Sequence, residues 1–149
     1  MDTFRVLVVD DEADFLETIV NRLQKRDVDA TGVTSGEAVL ELMKKKLFDV
    51  VLLDIKMPGG MDGIETFREI KKIQPLTEVV LLTGHASVET SIEGLKLGAF
   101  DYLIKPVKFE ELLEKLADAF KKKNTQEQKI LRAKIQGFLR FPGRVLEEE

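Results

Sequence analysis

Arg5-Val-Leu-Val-Val-Asp10-Asp11 is a run of four apolar residues, three of them valine, that ends in two carboxylates. A segment this short, β-branched and without alternation reads as a strand buried on both faces, the kind found in parallel sheets covered by helices. Immediately after it, Phe15, Leu16, Ile19, Val20 and Leu23 recur at helical spacing, which predicts an amphipathic helix from Ala13 to about Lys25-Arg26. One strand and one helix thus form a unit, and the unit repeats along the chain. Asp29–Val33 is expected as a strand, Ser35 as the N-cap of a helix over Ala38–Lys46, and Val50–Leu53 as a third buried strand ending in Asp54. Ile64–Ile73 is helical by spacing and stopped by Pro75, and Glu78–Leu82 is a strand ending in Thr83-Gly84. Val88–Leu97 reads as a helix with Gly98 just past its end, Asp101–Ile104 as a strand ending in Lys105-Pro106, and Phe109–Lys123 as a closing helix.

Five strand–helix units over residues 5–123 imply an α/β domain, a doubly wound parallel sheet with helices on both faces, because right-handed crossovers are nearly obligatory. In such sheets ligands bind outside the carboxyl ends of the strands. Asp10, Asp11, Asp54, Thr83 and Lys105 each fall at such an end and are expected to converge on one edge. A single Asp after a strand is ordinarily a turn or capping residue, and a lone Lys-Pro is ordinarily loop. Five residues of matching chemistry at four strand ends are poorly explained as independent turn design. Gathered carboxylates repel one another unless a cation neutralises them, and an all-oxygen cluster without His or Cys favours Mg²⁺. A hydroxyl, an ammonium and a metal around one free carboxylate, Asp54, form the set that receives a phosphoryl group.

The chain has 149 residues with 44% apolar and 34% charged, enough for one compact domain. Residues 1–120 carry 15 Lys+Arg against 23 Asp+Glu, whereas residues 121–149 carry 8 against 4. An acidic body argues against the broad basic footprint of a nucleic-acid binder, so no direct DNA binding is expected. There is no cysteine, which rules out disulfides, thiolate metal sites and a cysteine nucleophile. No run approaches the roughly 20 apolar residues of a bilayer span, and the first five residues lack a secretory pattern. A cytoplasmic protein without membrane contact is expected.

Val8-Val9-Asp10-Asp11-Glu12, Leu52-Leu53-Asp54-Ile55-Lys56-Met57-Pro58, Leu82-Thr83-Gly84-His85-Ala86 and Tyr102-Leu103-Ile104-Lys105-Pro106 together resemble the receiver domain of two-component response regulators. The resemblance covers residues 4–122 and leaves 123–149 as a basic helical tail without a separate output domain. It implies a flavodoxin-like sheet of order 2-1-3-4-5. It further implies Asp54 as phosphoacceptor, Mg²⁺ on Asp10, Asp11, Asp54 and the main-chain carbonyl of Lys56, and phosphoryl contacts from Thr83 and Lys105. Thr83 and Tyr102 would be the switch pair and Lys105-Pro106 a cis peptide. The implied donor is a histidine kinase or phosphotransfer protein, and the implied output is a protein target met through the last two strand–helix units, with a homodimer possible. Activity as an enzyme is not implied beyond self-catalysed phosphorylation and dephosphorylation.

One departure is visible. The family pattern has a single residue between Met-Pro and Met-Asp-Gly, and this chain has Gly59-Gly60, which predicts a longer and looser turn beside the site. Lys56 and His85 stand two residues after Asp54 and Thr83, positions that in the family flank the attacking water. Gly94-x-x-x-Gly98 lies in an amphipathic helix, where packing and capping explain it.

Two other classes fit less well. A phosphatase of the haloacid-dehalogenase type needs a second Asp where Lys56 stands, and a flavodoxin-like cofactor protein would not set Asp10 and Asp11 against a flavin phosphate. The tail is open between a continuation of the last helix, with Leu131, Ile135 and Phe138 on one face, and a new helix starting at Thr125, where Thr125-x-x-Gln128 resembles a capping box. Pro142-Gly143 should end any helix.

Overall fold

A computed structural model describes residues 4–84 and 87–140. Five strands form one parallel sheet in the order β2-β1-β3-β4-β5. The chain runs β1 (Arg5–Val9), α1 (Ala13–Lys25), β2 (Asp29–Val33), α2 (Gly36–Met43), β3 (Val50–Asp54), α3 (Gly63–Ile73), β4 (Glu78–Thr83), α4 (Val88–Lys96), β5 (Asp101–Ile104) and α5 (Phe109–Arg140).

The unbroken apolar runs serve two cores at once, because successive strand side chains point to opposite faces. Val6 and Val8 of β1, Val50 and Leu52 of β3, and Val80 and Leu82 of β4 pack with Leu16, Ile19 and Leu23 of α1 and with Leu112 and Leu116 of α5. The intervening Leu7, Val9, Val51, Leu53, Val79 and Leu81 pack with Val39 and Met43 of α2 and with Phe67 and Ile70 of α3. The strand carboxyl ends are left clear of both layers, and Asp54 closes β3 opposite Leu82.

Local chemistry sets the helix ends. Ser35 accepts the Ala38 N–H at 3.2 Å and starts α2 at Gly36, two residues earlier than its apolar spacing predicts; the helix stops at Met43 instead of Lys46, and Lys44–Lys46 turn into β3. Asp62 accepts the Glu65 N–H at 2.9 Å and caps α3. Gly94 lets α4 lie directly on β4, since a Cβ there would stand 2.5 Å from Leu81 Cδ1. Gly98 ends α4 at φ +113°, in the conformation glycine adopts without strain.

The tail question is resolved in favour of continuation. α5 is a single 32-residue helix, about 48 Å long at 1.5 Å per residue, and Thr125 lies inside it, so no new helix starts there. Its first half is tied down by buried Phe109, Leu112, Leu116 and Ala119 and by Phe120 stacked on Phe4 at 4.9 Å. Lys123 then donates to Asp49 at 2.7 Å and pairs with Glu127. Beyond that point Leu131, Ile135 and Phe138 are exposed. The Pro142-Gly143 stop lies outside the described residues. Among the described residues no helix is long and apolar enough to cross a membrane.

Candidate functional site

Asp10 and Asp54 end adjacent strands and are buried, at 0% and 5% exposure, while Asp11 is exposed on the β1–α1 turn. One carboxylate oxygen from each of the three lies within 4.8 Å of the others. Two backbone hydrogen bonds orient them: the Glu12 N–H donates to Asp10 Oδ1 at 2.8 Å and the Lys56 N–H to Asp54 Oδ1 at 3.1 Å.

Lys105 reaches in from the end of β5. Its Nζ stands 2.9 Å from Asp10 Oδ2, 3.0 Å from Glu12 Oε1 and 3.8 Å from Asp54 Oδ2, and 4.6 Å from the centre of the Phe15 ring. The Lys105 ammonium is therefore held by two carboxylates and an aromatic face. Burial by itself would lower the Lys105 pKa, but the hydrogen bonds to Asp10 and Glu12 and the charges of Asp54 and Asp10 outweigh it and raise it. The Lys105–Pro106 peptide is cis.

Asp54 is pushed up to about 6. Burial is the main cause, aided by Asp10 and Asp11 and opposed by the Lys56 N–H and by Lys105. A carboxylate so placed is short of positive charge, which a divalent cation on the same three carboxylates would supply. The donor set is all oxygen, and the ligand atoms are close enough for one ion.

An open cleft of about 600 Å³ lies over this cluster. Asp11, Asp54, Lys56 and Lys105 line it, as do Asp62, Ser87 and Thr90, for which the sequence reading assigns no role. Thr83 closes β4 at the same edge but is fully buried, and its hydroxyl donates to the Gly84 carbonyl at 3.0 Å instead of facing the cleft. Lys105 N–H donates to the Thr83 carbonyl at 2.7 Å, so the two residues are neighbours through backbone. Tyr102 is half-buried on β5, packed against the core shared by α2 and α3 and away from the cleft wall. His85 lies outside the described residues.

Glu12 and Phe15, which hold Lys105, were not legible as site residues. A glutamate one position past a strand looks like turn, and a phenylalanine at helical spacing looks like core.

A family model of the response regulator receiver domain matches residues 6–117. The chain belongs to the response regulator receiver domain family. Receiver domains are phosphoacceptor signalling modules of two-component systems, and they take their phosphoryl group through interaction with a histidine kinase. Among curated proteins, the transcriptional regulatory protein ZraR of Escherichia coli (strain K12) is 40% identical over 118 residues, 79% of this chain and 26% of that protein. The regulatory protein AtoC of the same strain is 39% identical over 108 residues, 72% of this chain and 23% of that protein. This chain thus spans about a quarter of the curated relatives it matches. Among solved structures, a response regulator receiver domain protein from Clostridium thermocellum superposes with a TM-score of 0.78 at 34% identity, covering 83% of this chain and 98% of that one. The five-stranded order and the helical layers are those of the receiver fold.

Proposed function

We propose that Asp54 is the phosphoacceptor of this receiver domain and that residues 4–122 form the receiver, with residues 123–140 continuing α5 beyond it. The observation that carries the reading is a buried carboxylate at a strand end, raised to about 6, with Asp10, Asp11 and Lys105 around it and an open cleft above. Asp10, Asp11, Asp54 and the Lys56 carbonyl would hold Mg²⁺, which when bound neutralises charge on the transferring group. Asp54 attacks phosphorus, an Asp–O–P bond forms, and the donor's P–N bond breaks with its electron pair returning to nitrogen, so that an imidazole already protonated on its other ring nitrogen leaves neutral. Lys105 exchanges its contact with Asp10 for a phosphoryl oxygen, so the cluster keeps one ammonium throughout. The self-catalysed part of phosphorylation and dephosphorylation rests on these same groups.

Thr83 rotates from the Gly84 carbonyl toward the phosphoryl oxygens, and Tyr102 turns into the space released. Switching then alters the surface of β4-α4 and β5-α5, where Ile92 and Leu97 already stand exposed on and beside α4 at 43% and 42%. A protein partner reads that surface, in the cytoplasm and without direct DNA contact by this acidic body. A histidine kinase or phosphotransfer protein is the donor.

The tail supports a homodimer. If Ile135 and Phe138 occupy the a and d positions of a heptad, Glu127 falls at g and Arg132 at e. A parallel pair sets Glu127 against Arg132 of the second copy, whereas an antiparallel pair that overlaps the same apolar residues sets e against e and g against g, Arg132 against Arg132 and Lys134 against Lys134. Charge therefore selects the parallel arrangement.

The decisive experiment is intact-mass spectrometry after incubation with acetyl phosphate. One phosphoryl addition, dependent on Mg²⁺, abolished by EDTA and absent from Asp54→Asn, is the expected result. No addition, or addition that survives Asp54→Asn, overturns the assignment.

A further inference from the structure

The turn between β3 and α3 forms one wall of the cleft, with Met57, Pro58 and Asp62 lining it. Its two ends are fixed: the Lys56 N–H is bound to Asp54, and Asp62 caps α3. Between them Gly59 and Gly60 both have positive φ, +74° and +82°, and two such residues in sequence leave a backbone free to take other conformations. Yet the turn is held at one further point, from a different element. Glu37, in the first turn of α2, accepts the Met61 N–H on Oε2 at 2.9 Å. That bond, together with one from its own backbone N–H, keeps the Glu37 carboxyl below the usual carboxylate range. A Cβ at Gly60 would lie 2.7 Å from the same oxygen, so the extra glycine is also what admits the carboxylate.

Glu37 is exposed and belongs to neither core. Its side chain has a contact that spans 24 residues of sequence and ends on the one segment whose length departs from the family pattern. We infer that Glu37 is a positioning residue for the acceptor site: it clasps the two-glycine turn and thereby holds the Lys56–Asp62 segment in the conformation that receives the cation. The inference rests on the proposed reading of Asp10, Asp11, Asp54 and the Lys56 carbonyl as the Mg²⁺ set. Partners that orient a ligand without touching the ion commonly alter its affinity by tenfold or more.

The test titrates the full chain with MgCl₂ by calorimetry, for wild type, Glu37→Ala and Glu37→Gln, and follows hydrogen exchange of the Met61 amide and the thermal midpoint in parallel. Both variants lose the charge, but glutamine keeps an oxygen that can accept the Met61 N–H. The expected result is Mg²⁺ affinity weakened on the order of tenfold in Glu37→Ala, within about twofold of wild type in Glu37→Gln, and faster Met61 exchange in the alanine variant alone. Equal weakening in both variants makes the effect one of distant charge and overturns the inference, as does an alanine variant that binds like wild type. Wild type that binds Mg²⁺ while Glu37→Ala does not differ refutes only the clasp. Wild type that binds no Mg²⁺ overturns the metal assignment and the clasp with it.

Discussion

Asp54 carries a stability cost that follows from where it must stand. A carboxyl raised to about 6 in the folded chain holds its proton more tightly there than in the unfolded chain. The folded state therefore binds more protons between about pH 4 and 6, and stability falls as pH rises through that window. In metal-free buffer, Asp54→Asn is expected to stabilise the fold at pH 7.5 by about 1–3 kcal/mol, with the gain vanishing below about pH 4. Urea titrations of both proteins at the two pH values measure it, and a gain that is the same at both would contradict a titrating Asp54. The four charged residues Asp10, Asp11, Asp54 and Lys105 could be picked out beforehand because like chemistry at strand ends is an improbable product of turn design. Thr83 was legible by position, but the direction of its hydroxyl was not, since a rotamer depends on what stands around it. Glu12 was present in the sequence motif without a role, and only the approach of Lys105 from 93 residues away supplies one.

At the scale of elements, Gln74 shows what pattern cannot supply. It lies just past α3 and is buried, where the sequence offers only the stop at Pro75. Its Oε1 accepts from the Phe48 N–H and the Thr77 hydroxyl, both at 3.0 Å, and its Nε2 donates to the Met43 and Lys46 carbonyls at 2.9 and 2.7 Å. One side chain thus satisfies the end of α2 and the entry to β3. Gln74→Leu keeps the volume and strands these groups, so it should cost about 2–4 kcal/mol, read as a lower denaturation midpoint at unchanged m. A loss under about 0.5 kcal/mol would mean water replaces the amide.

The projecting half of α5 makes the second prediction at this scale. A helix end without packing against its own domain is marginal in water, and Leu131, Ile135 and Phe138 offer one apolar stripe. Light scattering coupled to size exclusion should report a concentration-dependent dimer for the wild-type chain and a monomer for Leu131→Glu/Ile135→Glu. Reversing the pair as Glu127→Arg and Arg132→Glu together should leave dimerisation intact while either change alone weakens it. Spacing raised the possibility of this stripe, but it was equally compatible with a fresh helix at Thr125. The helix runs through because Phe120 and Lys123 dock its middle against Phe4 and Asp49.

For the whole molecule, the alternation of side chains within wholly apolar strands divides the core between α1 and α5 on one face and α2 and α3 on the other. Unalternating strands, caps and glycine stops are local features, set by backbone sterics and by which residues water rejects. They were sufficient to determine five strand–helix units, a parallel sheet, and a carboxylate-rich edge at the strand ends. Strand order followed from family resemblance and not from periodicity, because pairing partners are chosen by crossovers that no window of sequence contains. Tertiary structure alone decided which groups meet: Lys105 between Asp10 and Glu12, Glu37 on the Met61 amide, Gln74 across two loops, and the cleft above Asp54. Those contacts join residues 24 to 95 positions apart, and electrostatics and hydrogen bonding act over a few ångströms of space whatever the separation along the chain.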